Sequence, residues 1–179
     1  MHNKGLGVVS SRNAQNRYHP NKVKARRLMS DLKSILDELT KFGVTPNVEG
    51  GNNLNTLKLL LANIYSHYLE VSFEYDENDY DESPDFDYKV VRKIAESNFP
   101  ELGFYHSLFE SHQVSREADV TLGDGIDDLT DIIKDMLAVK WRFENTSNND
   151  ALWYFELHMR SHSEQHLVDL LKYIKDLEG

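Results

Sequence analysis

Apolar residues recur at helical spacing along almost the whole chain, and this periodicity restricts the fold more than any other feature. Leu28, Leu32, Ile35, Leu39 and Phe42 stand three or four positions apart. Because an α-helix turns once in about 3.6 residues, such positions form one apolar stripe. Gly43 followed by Pro46 marks the end of this first helix. After the loop "VEGGNN", Leu57, Leu61, Ile64, Tyr68 and Val71 place a second stripe, capped at Asn53 or Asn55 and running to about Tyr75. Ser83 and Pro84 read as cap and first turn of a third helix that carries Phe86, Val90, Val91 and Ile94 and ends before Pro100.

The segment "ELGFYHSLFESH", residues 101 to 112, is aromatic enough for a short buried helix. From Leu122 to about Phe143, Ile126, Leu129, Ile133, Met136, Leu137 and Lys140 share one arc, the pattern of an amphipathic helix. "ENTSNND" interrupts the chain, Asn149 or Asp150 caps the next element, and a last helix runs from Ala151 to about Leu177. No segment sustains a two-residue alternation. The expected fold is all-α, an antiparallel bundle of five to six helices with short connections.

The 179 residues suit one domain over 20–179, preceded by an aperiodic, flexible arm over 1–19. A mean hydropathy of -0.58 with 40% apolar residues describes a chain that folds and stays soluble. It has no cysteine, which removes disulfides, thiolate metal sites and cysteine nucleophiles together. Neither a signal-like apolar run at the start nor a span of about 20 apolar residues is present, so the expected location is cytoplasmic, away from membranes.

Charge is unevenly placed. Residues 1 to 30 hold seven basic and no acidic residues, leaving 13 basic against 30 acidic in the rest. Phosphate binding requires lysine and arginine to displace counterions, so an acidic body makes nucleic acid an unfavoured partner. A basic protein is the partner such a body suits.

Two rows of polar residues carry metal-binding chemistry. His158, His162 and His166 are spaced by four, and at about 100° per residue they span roughly 80° of one helix face together with Asp169. A histidine pair at i, i+4 can direct two nitrogens at one ion. The stretch "SHSEQHLVDL" nevertheless lacks the zinc-protease order, because Glu164 neither follows His162 nor precedes His166 directly. Its offset of two residues turns it away from His162, toward solvent.

The second row is in "LGDGIDDLTDIIKDML". Asp124, Asp128, Asp131 and Asp135 lie on one face; the first turn of a helix favours Asp124, Asp127 and Asp128, but Asp131 and Asp135 call for a cationic partner. If the last two long helices pair antiparallel, Asp128, Asp131 and Asp135 face His162, His166 and Asp169. The outcome is then either an Asp/His hydrogen-bond ladder or a site for zinc, iron or manganese built from His162, His166, Asp131 and Asp135.

A third feature is "EYDENDYDESPDFD", residues 74 to 87, with eight acids and no lysine or arginine. It fails as a calcium loop, since Asp81 stands where glycine is required. Asp76, Glu77, Asp79, Tyr80, Asp81 and Glu82 form instead a candidate protein-binding loop, with aromatics among carboxylates.

With these residues in view, the chain over roughly 54–177 resembles an uncharacterised bacterial family, domain of unknown function 5063. The run "DDLTDIIKD" is similar to the family's D-D-L-x-D-I-x-x-D, through Asp127, Asp128, Leu129, Asp131, Ile132 and Asp135. In "ALWYFELHMRSHSEQHLVDLL", Trp153, Phe155, His162, His166 and Asp169 fall on a second pattern. Members commonly carry Trp-Gly after the first of these histidines, where this chain has Ser163 and Glu164, and His158 has no counterpart. The resemblance implies a helical bacterial cytosolic domain and no particular reaction.

The leading functional expectation is a non-enzymatic protein-binding module without a cofactor, suited to an immunity-like or antitoxin-like role toward a basic protein. The alternative is a metal-binding protein or metal-dependent hydrolase using the Asp/His rows. The residues fix neither the oligomeric state nor a substrate.

Overall fold

The computed structural model describes residues 20–50 and 53–178, with the side chains of 20–28, 30 and 109 left aside. The arm expected over residues 1–19 lies outside the described residues. Among the described residues six α-helices and one β-hairpin follow in the order α1 (Pro20–Val44), α2 (Asn53–Glu70), α3 (Tyr88–Asn98), β1 (Phe104–Phe109), β2 (Asp119–Asp124), α4 (Gly125–Asn145), α5 (Asn148–His158) and α6 (Glu164–Leu177). A π-turn, Met159–Ser163, joins α5 to α6.

Helix α4 is the centre of the packing, in contact with α1, α3, α5 and α6. Its apolar arc is wide: Ile126, Leu129, Ile132, Ile133, Met136, Leu137 and Val139 are all buried, against Leu36, Leu39 and Phe42 of α1, Val91 and Ala95 of α3, and Phe155, Leu167, Leu170 and Ile174 of the last helices. Burying a side chain of this size is worth about 1.5 to 3 kcal/mol, so the core is set by these stripes. Helix α2 inserts Leu57, Leu61 and Ile64 between α1 and α6.

Local chemistry explains the helix ends. Gly43 lies inside α1 rather than beyond it, because a Cβ there would stand 2.4 Å from the Ile133 methyl, and α1 and α4 could not approach as closely. The terminus is instead held by buried Asn98, whose amide donates to the carbonyls of Phe42 and Thr45 and whose oxygen accepts from the Val48 N–H at 2.7 Å. Helix α2 stops at Glu70, short of Tyr75. Helix α3 begins with Asp87 as cap, not Ser83, and α5 with Ser147 as cap, ahead of both expected positions.

The all-α expectation is corrected by the hairpin. Residues 104–109, expected as a short helix, form β1, and Leu122, expected inside the long helix, belongs to β2. The strands are antiparallel, with Phe104 opposite Asp124, His106 opposite Leu122 and Leu108 opposite Val120. Asp124 closes β2 and caps α4, accepting from the N–H groups of Ile126 and Asp127. Among the described residues no helix is long and apolar enough to cross a membrane.

Candidate metal centre

The two-residue link between α4 and α5 sends the chain back antiparallel along α4, so the aspartate row meets the histidine row. His166 places Nδ1 2.7 Å from Asp128 Oδ1 and Nε2 3.9 Å from Asp131 Oδ2. His162 places Nδ1 2.9 Å from Asp135 Oδ2, and His158 places Nδ1 3.1 Å from Asp135 Oδ1. A ring nitrogen of each of His162 and His166 and a carboxylate oxygen of Asp131 all lie within 4.8 Å of one another.

The π-turn explains why three histidines reach this row. In an α-helix a four-residue step overshoots one turn by about 40°, and two such steps would carry His158 well around the helix from His166. The wider turn, marked by the Glu164 N–H bonding to the Met159 carbonyl five residues earlier, makes the step from His158 to His162 fall short instead. The offsets oppose each other, and His158 and His162 converge on Asp135.

The carboxylates of α4 divide by partner. Arg92 of α3 takes the outer two, with Nη2 2.8 Å from Asp124 and Nη1 3.2 Å from Asp127. The bond to Asp124 first, and then the one to the Tyr88 hydroxyl, hold its guanidinium pKa above the ordinary arginine value. Asp128 accepts from His166 and from the Tyr105 hydroxyl at 2.5 Å. Asp135 accepts from His158, from His162 and from the Ser163 hydroxyl at 2.6 Å. Asp131 lies between them, half-buried, and among the described residues accepts no hydrogen bond.

Electrostatics follow the same division. Burial pushes the Asp131 carboxyl above its usual range, and the Asp127 and Asp135 charges add to that against the two histidines. Burial also opposes ionisation of Asp135, but its bonds from His158, Ser163 and His162 outweigh that and bring it below the usual range. The bond to Asp128 raises the His166 imidazole, against the effect of burial.

Each ligand-type histidine therefore spends Nδ1 on a carboxylate, which accepts only, so Nδ1 donates and the neutral ring keeps its lone pair on Nε2. This is how metal-binding histidines are oriented, with a carboxylate behind the ring. A bound first-row ion holds N and O donors at about 2.0 to 2.2 Å, so the three groups would close on it by side-chain rotation. His162 is exposed, which leaves the approach open.

The sequence-derived site residues fare unequally. Asp128, Asp131, Asp135, His162 and His166 come together. Asp169 stands apart, accepting from Ser107 of β1 at 3.1 Å and from Gln165 at 2.9 Å. Glu164 is not a solvent residue: it is half-buried against α2, where the hydroxyls of Tyr65 and Tyr68 donate to it. Sequence reasoning missed Tyr105 and Ser163 as supports of Asp128 and Asp135. Tyr105 gave no separate signal, since its segment read as helix; Ser163 adjoins His162 in the quoted stretch.

The acidic loop is partly committed to structure. Asp76 accepts from the Tyr80 hydroxyl at 3.1 Å, from the Asn78 N–H at 3.1 Å and from the hydroxyl of Ser147, which ties it to the cap of α5. The Ser147 bond leads the causes that hold the Asp76 carboxyl below its usual range. Glu77, Asp79, Asp81 and Glu82 are exposed.

No family model matches the chain. No curated protein matches it either. Its fold is similar to the crystal structure of protein BF1032 from Bacteroides fragilis, a structural-genomics target, with a TM-score of 0.60, 15% identity, 90% of this chain and 94% of that chain covered. At that identity the likeness is one of fold alone.

Proposed function

We propose that this protein binds a divalent first-row metal ion through Asp131, His162 and His166. The observation that carries the reading is the pairing of each imidazole's Nδ1 with its own carboxylate beside an Asp131 that accepts no hydrogen bond among the described residues. A ladder of Asp/His hydrogen bonds alone would have no use for a half-buried carboxylate that is held only by the 3.9 Å approach of His166 Nε2 and by no hydrogen bond among the described residues, an arrangement that costs stability. A cation between Asp131 and the two rings removes that cost.

The donor set narrows the ion. Two imidazoles and one carboxylate suit zinc or iron(II), and with only three protein donors the other positions would carry water. Such a centre polarises its water or a substrate carbonyl, which is a catalytic composition rather than a purely structural one. The resemblance noted above covers the same Asp131, His162 and His166.

Elemental analysis of the purified chain tests the reading. The expected result is zinc or iron in stoichiometric amount, absent from a His162→Ala/His166→Ala double variant that still folds. Equal metal in both proteins, or none in either after growth with the metals supplied, overturns it.

A further inference from the structure

The β1–β2 hairpin has two faces of different use. Tyr105 and Ser107 point inward, Tyr105 stacking on Tyr173 of α6 with ring centroids 4.6 Å apart and Ser107 bonding Asp169. Gly123 permits this, because a Cβ there would stand 2.4 Å from the Tyr105 ring. Residues directly opposite in an antiparallel pair share a side. Phe104, His106 and Leu108 of β1 therefore stand with Val120 and Leu122 of β2 on the outward face.

That face is apolar and open. Phe104 is 70% exposed, Leu108 47%, Val120 57% and Leu122 67%. Exposed apolar residues scattered singly are ordinary, but four in register on one ribbon make a continuous patch of the kind that marks an interaction surface. None of them packs in the core cluster. The hairpin is anchored by its inner face, and the outer face lies outside the core packing.

Its rim is acidic. Residues 101 to 124 contain Glu101, Glu110, Glu117, Asp119 and Asp124 against Arg116 alone. Arg116 is paired with Glu110 at 3.4 Å, and Asp124 with Arg92, while Glu101, Glu117 and Asp119 are exposed. A second copy of this chain would set rim against rim, with like charges facing. A partner with apolar residues along one side and lysine or arginine on both flanks meets the strip and its rim together.

We propose that the outward face of the hairpin docks a cationic amphipathic segment of another protein. This stands on the hairpin and its rim and is independent of the metal reading. The test uses the full chain and a synthetic helix of about five turns with leucine on one face and lysine elsewhere. A peptide of the same composition with its leucines scattered is the control. The segregated peptide is expected to bind roughly tenfold tighter or better. Amide shift changes should centre on 104–108 and 120–122.

Phe104→Thr with Leu122→Thr, and separately Leu108→Thr with Val120→Thr, keep strand-forming residues and should each abolish the preference while leaving thermal unfolding unchanged. Equal binding of the two peptides overturns the proposal, since charge alone would then account for it. So does a preference that survives both double variants, shifts centred elsewhere, or sedimentation showing self-association through this face that the peptide does not displace.

Discussion

His166 holds Asp128 at 2.7 Å through Nδ1 and leaves its other ring nitrogen 3.9 Å from Asp131. One ring thus joins a carboxylate that is fully engaged to one that is not, and the behaviour of the site follows from that asymmetry.

In the metal-free protein, the Asp128 bond raises the His166 pKa above its unfolded value of about 6.5. A raised folded value means the protonated ring stabilises the fold fully below about pH 6.5, and that this contribution is lost as pH rises through the folded value. Denaturant midpoints of the apo protein should therefore fall across that window, and His166→Asn should flatten the dependence. An identical slope in the variant would show that His166 does not bridge Asp128 and Asp131.

Tyr105→Phe removes only the hydroxyl that holds Asp128. A hydrogen bond to a charged group is worth about 1.5 to 3 kcal/mol, and because Asp128 orients the ligand His166, loosening Asp128 should also lower metal affinity, by less than the roughly tenfold expected for losing Asp128 itself. Both losses are expected, the first in urea unfolding and the second in metal titration. Unchanged metal affinity with reduced stability would make Tyr105 a packing residue alone.

Gly123→Ala drives a methyl into the Tyr105 ring at 2.4 Å. Overpacking of this kind costs about 1 to 3 kcal/mol. Since Tyr105 is what moves, the variant should lose metal affinity in step with Tyr105→Phe, and the two changes combined should cost less than their sum.

Asn98→Ala leaves the carbonyls of Phe42 and Thr45 and the N–H of Val48 without their partner at a buried helix end. Stranding such groups costs about 1 to 3 kcal/mol, so a drop of that order is expected in thermal or chemical unfolding. The Asp/His site shares none of these bonds and should bind metal as before.

The parts of the fold legible in the sequence were those where one periodicity dominated. Stripes such as Leu32, Leu39 and Phe42 or Leu129, Ile133 and Met136 admit one packing face, and that face is buried. The hairpin escaped because its apolar residues, Phe104, Leu108, Val120 and Leu122, stand outward, whereas the inward set, Tyr105, Ser107, Thr121 and Gly123, is short and largely polar, so no apolar inward face marks the strands. The facing of Asp128 and Asp135 on His166 and His162 followed from spacing and a short link. The π-turn did not, because histidines four apart are compatible with either helix type. Glu164 was turned correctly away from His162, but the space on that side is occupied by Tyr65 and Tyr68 rather than water.

The central claim is tested most directly by titrating the apo protein with zinc and with iron(II) near neutral pH while following heat and released protons. The account predicts saturation at a single ion per chain, with proton release because the raised His166 must deprotonate to coordinate, and loss of that saturation in Asp131→Asn and in His162→Ala/His166→Ala. Absence of saturable binding, or binding undiminished in these variants, would contradict it.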